Sequence, residues 1–173
     1  PRQPRSALYR SAMARPRLPE RLPWLEREPG RFMGRGHPAG DFLEAHDWKV
    51  LEETPGRLVL DVHVAERVRN PLGQVFGGFT PTYVDLVALY TVRSKLVTEE
   101  GQRPLEVHAT SSMRIDYLEP LVGPRFVIES QLIKLRGRSR WVETRFVDRG
   151  ELAVFALTTL RAIPNRPEEE SAD

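Results

Sequence analysis

The 173-residue chain contains no cysteine. That excludes disulfides, thiolate metal sites and a cysteine nucleophile. It is compatible with a reducing compartment, and a cytoplasmic location is expected. No apolar run approaches the roughly 20 residues that a membrane-spanning helix needs, so no membrane span is expected. A basic start, an apolar core and a small-residue cleavage site do not occur together as they do in a secretory leader. The four histidines, His37, His46, His63 and His108, show no metal-ligand spacing. Lysine is scarce, with only Lys49, Lys95 and Lys134, so the positive charge is almost all arginine. The net charge of +2 is modest. No nucleic-acid-binding motif accompanies the arginines, and no nucleic-acid partner is expected. Acidic residues are absent before Glu20.

Hydrophobic residues make up 40% of the chain, enough for a globular core. At this length one domain is the default. The pattern divides the chain into three parts. Residues 1–40 form a Pro/Arg-rich extension, broken at Pro16, Pro19, Pro23, Pro29 and Pro38. Long regular structure is not expected there, although Trp24, Phe32 and Met33 offer anchors to the domain or to a neighbouring subunit. Residues 41–163 form the main domain. Residues 164–173 form an acidic tail.

Inside the domain, Trp48–Glu53 reads as a strand closed by a turn at Thr54-Pro55-Gly56. Arg57–Ala65 alternates, with Leu58, Leu60, Val62 and Val64 on one face. A long apolar helix follows from Thr80 toward Gly101, with Thr80 as N-cap and Pro81 in the first turn. Four strands come next: Pro104–Leu118, Arg125–Leu135, Ser139–Asp148 and Glu151–Ile163. Short connections between the last strands favour an antiparallel meander. The expected class is α+β, an antiparallel sheet around one long helix. That helix is apolar on nearly every side, so it needs more cover than one sheet face gives. A second subunit is one source of that cover.

The stretch Asn70–Asp85, NPLGQVFGGFTPTYVD, carries the candidate chemistry. Gly77-Gly78 permits close backbone approach and unusual φ beside the free N–H groups of a helix start. Asp85 lies in the apolar helix one to two turns on. Free donors polarise a carbonyl, and a carboxylate acts on water or on the carbonyl carbon. The set suits acyl chemistry.

These elements, with Asn70, Gly73, Gly77-Gly78 and Asp85 at this spacing and IDYLEPLVG at Ile115–Gly123, resemble the hotdog-fold acyl-CoA thioesterases of the PaaI-like branch. The resemblance covers about residues 45–163. It implies a hotdog fold and hydrolysis of an acyl-CoA or related thioester by a homodimer or homotetramer. It implies no cofactor, with coenzyme A entering as part of the substrate. By resemblance Asp85 is the general base or the nucleophile, and Asn70 holds the water or the carboxylate. The Gly77 N–H polarises the carbonyl, and Thr110 orients the water. The same reading puts Phe76, Gly78 and Val84 along the acyl group, and Arg136, Arg138 and Arg140 against the coenzyme A phosphates. Two features depart from the pattern. Phe76 stands where the family usually has His. Strict strand alternation also turns Thr110 away from the apolar face, unless a bulge or a subunit contact intervenes. A non-catalytic acyl-CoA binder and a hotdog dehydratase remain alternatives, the second weakened by the missing His.

Overall fold

The computed structural model describes residues 22–95 and 107–163. The described strands are β1 (Lys49–Thr54), β2 (Arg57–His63), β3 (Val107–Tyr117), β4 (Arg125–Arg136), β5 (Ser139–Asp148) and β6 (Glu151–Ile163). They form one antiparallel sheet in the order β1-β2-β4-β5-β6-β3. The helices are α1 (Pro38–Phe42) and α2 (Thr80–Lys95). Among the described residues no helix is long and apolar enough to cross a membrane. The expected helix end at Gly101 lies outside the described residues.

The alternation in β2 is used as expected. Leu58, Leu60 and Val62 are buried and join the core beneath α2. From the helix side Tyr83, Val84, Leu86, Val87, Ala88 and Val92 are buried. The remaining cover comes partly from this chain itself. Phe32, Met33 and Trp48 are buried, and their rings run on into the helix. Phe32 stacks on Trp48 at 5.5 Å, and Trp48 stacks on Tyr83 at 5.4 Å. Phe32 also meets Tyr90 at 4.6 Å. The backbone fixes this segment as well: Phe32 N–H donates to Trp48 O at 3.1 Å, and Gly34 N–H to Trp24 O at 2.9 Å. Residues 22–48 thus close a side of α2 that the sheet leaves open. Burial pushes the Tyr83 phenol above its ordinary pKa, so the ring stays neutral.

One sheet irregularity decides the site. Antiparallel partners put their side chains on the same face. Met113, Ile115 and Tyr117 pair with Thr158, Ala156 and Val154, which are buried toward α2. Thr110 pairs with Leu160, also buried, and Ser112 pairs with Thr159. The register shifts between Thr110 and Ser112. Ser111 is therefore an extra residue that inverts the alternation of β3. His108 and Thr110 join the helix face together with Met113, and strict alternation fails at this point.

Candidate active site

The helical run begins earlier than the sequence suggests. A 3-10 turn at Gly77–Phe79 leads directly into α2. Phe76 occupies the N-cap position with extended backbone and no side-chain cap, and Thr80 is already helical at φ −52°, ψ −42°. The expectation of Thr80 as N-cap is corrected accordingly. Phe79 N–H bonds to Phe76 O at 2.8 Å, which tightens the first turn. The Gly77 and Gly78 N–H groups have no acceptor among the described residues. Two successive free donors at the positive end of a helix make a concavity for negative charge.

Neither Gly77 nor Gly78 has positive φ, so the expectation of unusual backbone angles does not hold. Space is what these glycines supply. A Cβ on Gly78 would come within 2.6 Å of the Phe76 ring. One on Gly77 would rest 3.5 Å from the Tyr117 ring. In the loop before them Gly73 does need its glycine, with φ +76°. It closes the Asn70-Pro71-Leu72-Gly73 turn, in which Gly73 N–H donates to Asn70 O at 2.9 Å.

Asp85 is half-buried on α2. The Thr110 hydroxyl donates to its Oδ1 across the gap to β3. Two sequence candidates that strict alternation separates are thereby brought together. Asn70 is not part of that pair. Its Oδ1 accepts from Leu72 N–H at 2.9 Å and Gln74 N–H at 3.1 Å, and its Nδ2 donates to Gln74 Oε1 at 3.2 Å. Asn70 shapes the donor loop and lines a cavity of about 320 Å³ together with Gln74, Gly77, Thr80 and Tyr117.

The other candidates divide. Phe76 is 54% exposed, with its ring edge-on to Phe79 at 5.8 Å. Val84 is fully buried in the core, so it supports the site from behind and offers no contact surface. Arg136 and Arg138 are exposed at the β4–β5 turn. Arg140 is only 5% exposed and donates to Gly137 O at 2.7 Å and Ser139 O at 3.2 Å. Its guanidinium is thus turned onto its own hairpin, whereas the sequence expectation for Arg140 was a phosphate contact. The turn lies near Asp85 all the same. Thr110 pairs with Leu160 and Leu160 with Arg140, which is two strand spacings, about 10 Å.

Two residues escaped the sequence reading. Tyr117 OH donates to Gly77 O at 2.8 Å. Asp148 Oδ2 accepts from Val122 N–H at 2.8 Å and Gly123 N–H at 3.1 Å. It fixes the loop whose Leu121 O holds Val75 N–H at 2.9 Å. Neither residue lies in the Asn70–Asp85 stretch.

A single long helix seated along a six-stranded antiparallel sheet, with uncapped donors at its start and a Thr-supported carboxylate further on, defines a hotdog fold. Residues 72–154 match the family model of the thioesterase superfamily. Acyl-coenzyme A thioesterase 13 of Mus musculus is 29% identical over 86 residues, 49% of this chain and 56% of that protein. The chain thus spans little more than half the length of that relative. Thioesterase superfamily member 2 of zebra fish superposes with a TM-score of 0.60 at 23% identity, over 74% of this chain and 88% of the other. A hypothetical thioesterase from Streptococcus pneumoniae, crystallised with coenzyme A, superposes with a TM-score of 0.58 at 17% identity, over 70% and 89%.

Proposed function

We propose that the protein hydrolyses acyl-CoA thioesters to a free acid and coenzyme A, as a PaaI-like thioesterase. The observation that carries this reading is the Thr110 hydroxyl on the Asp85 carboxylate. One carboxylate oxygen is held, and the other is left to act on water. Water attacks the thioester carbonyl carbon as Asp85 takes its proton. The carbonyl oxygen becomes an oxyanion facing the Gly77 and Gly78 N–H groups. Collapse breaks the C–S bond, and the proton on Asp85 passes to the departing sulfur. The relative named for acyl-coenzyme A and the fold neighbour crystallised with coenzyme A support this substrate class. Exposed Arg136 and Arg138 are proposed to meet the coenzyme A phosphates.

The reading requires two protomers. Gly77 and Asp85 of one chain are eight residues apart along a helical run, about 12 Å. Reacting groups must approach within about 3–3.5 Å. Donors from one protomer therefore serve the carboxylate of another. The outer edge of β3 is unpaired among the described residues and carries Thr110, so pairing of two β3 strands is the proposed contact.

Thiol release from short, long and aromatic acyl-CoAs tests the proposal, with Asp85→Asn run alongside. Loss of turnover in the variant, with the oligomer intact, is the expected result. Normal turnover in Asp85→Asn would refute it. A second reading, acyl-CoA binding without turnover, draws on the apolar ring of Phe76 at the family's His position. Tight binding with no thiol release by the wild type would favour it.

A further inference from the structure

We propose that Tyr117 is a positioning residue that holds the Gly77–Gly78 donor pair in its working orientation. The inference deepens the thioesterase reading and rests on it for its catalytic consequence. It begins with Pro81. In an α-helix the N–H of residue 81 would donate to the carbonyl of residue 77. Proline has no N–H, and its ring crowds the carbonyl four residues back. Gly77 O is therefore missing its α-helical donor. Thr80 N–H reaches it in the tighter 3-10 manner. The Tyr117 hydroxyl supplies the second bond at 2.8 Å.

That bond controls more than one oxygen. Gly77 O and Gly78 N–H belong to the same planar peptide unit and point in opposite directions. Fixing the carbonyl fixes the direction of the Gly78 N–H. Two consecutive glycines without a Cβ have wide backbone freedom, so this unit is free to rotate unless it is tied. The Tyr117 ring adds packing at 3.5 Å from where a Gly77 Cβ would stand. Tyr117 also lines the 320 Å³ cavity beside Gly77, which puts the clamp at the mouth of the candidate site. A tyrosine 54% exposed has no packing need for its hydroxyl, because water would satisfy it.

The test is a double-mutant cycle of Tyr117→Phe and Pro81→Ala in the full-length protein. Tyr117→Phe keeps the ring and removes the bond. Its kcat on the best acyl-CoA of the panel is expected to fall about 3- to 10-fold, with KM within about twofold. Pro81→Ala restores an N–H for Gly77 O, so in that background the effect of Tyr117→Phe is expected to shrink below twofold. An equal loss in both backgrounds overturns the proposal. A second arm needs no turnover. In 15N-labelled free protein the Gly78 amide signal is expected to broaden by microsecond-to-millisecond exchange in Tyr117→Phe, and to sharpen again with Pro81→Ala. An unchanged, sharp Gly78 signal in Tyr117→Phe overturns the clamp whatever the kinetics. Absence of turnover in the wild type strikes only the thioesterase reading, and the amide signals still decide for or against the clamp.

Discussion

Replacing Thr110 with Val should cost activity while leaving the fold intact. The Thr110 hydroxyl gives Asp85 Oδ1 one charge-assisted hydrogen bond. Such bonds contribute about 1.5–3 kcal/mol. Thr110 is exposed and Asp85 half-buried in the single chain, so solvent recovers part of that, and the lower figure applies. About 1.5 kcal/mol in the barrier is about a tenfold fall in kcat. KM should stay nearly constant, since the bond orients the base and does not touch the rest of the substrate. Val matches Thr in shape and strand preference, so stability should move by no more than about 0.5 kcal/mol. In a chain of this size that is about 1–2 °C in Tm. Thr110→Ser keeps the hydroxyl and should retain activity within about threefold. Thiol release at saturating and limiting acyl-CoA reads both parameters. A Thr110→Val enzyme as fast as wild type would refute the reasoning, for the observed pair would then play no part in the chemistry.

Three further outcomes follow from the geometry. Deleting residues 1–40 removes Phe32 and Met33, both fully buried. Losing two such side chains costs about 5–10 kcal/mol against a total stability of about 5–15 kcal/mol, so a thermal melt should show a large fall or no cooperative transition; an unchanged Tm would contradict the burial. His37 caps α1 by accepting from Gly40 N–H at 3.1 Å through Nδ1, a bond only the neutral ring can accept. Burial holds its pKa below 6.5, opposed by the nearby Asp41. A lowered pKa contributes stability that is complete above pH 6.5 and lost as pH falls through the folded value. Tm should therefore drop on acidification below pH 6.5, and His37→Asn, which caps without titrating, should flatten that part of the slope; parallel slopes would count against the assignment. Arg136→Ala with Arg138→Ala should raise KM for acyl-CoA several-fold with kcat little changed, and added salt should shrink the difference. Equal loss for a phosphate-free thioester such as an acyl-N-acetylcysteamine would exclude a phosphate contact.

Local patterning made most of the fold legible. The alternation of Leu58, Leu60 and Val62 marked β2, and the short connection between Ser139–Asp148 and Glu151–Ile163 marked the β5–β6 hairpin, where Arg149 and Gly150 both have positive φ. The misreadings have one physical origin, the pairing of residues distant in sequence. A bulge adds one residue and carries no composition of its own, so Ser111 gave no sign that Thr110 faces Asp85. The start of the helical run was misjudged because Thr80-Pro81 is a strong local start signal, while the 3-10 turn ahead of it depends on how the loop meets Val68 and Leu121. Arg140 was expected against the coenzyme A phosphates, yet its strand partner Leu160 lies in the core. Tyr117 left a signal in retrospect. A proline four residues after a carbonyl at a helix start calls for a donor from elsewhere.

The exchange of the family's His for Phe76 bears on the same donors. Phe76 N–H bonds to Val68 O at 2.8 Å, and Phe76 O receives Phe79 N–H. Both bonds are made by backbone and are indifferent to the side chain. The ring itself lies over Gly78, where an added Cβ would approach within 2.6 Å, and it continues through Phe79 to Phe42, 5.4 Å further on. The donor turn therefore keeps its shape without a polar side chain at residue 76. What changes is the surface presented beside it. An imidazole would offer a hydrogen bond to substrate, whereas Phe76 offers an exposed apolar ring backed by two more. On the proposed thioesterase reading, the substitution would leave carbonyl polarisation to Gly77 and Gly78 and is expected to shift selectivity toward groups that gain from apolar contact.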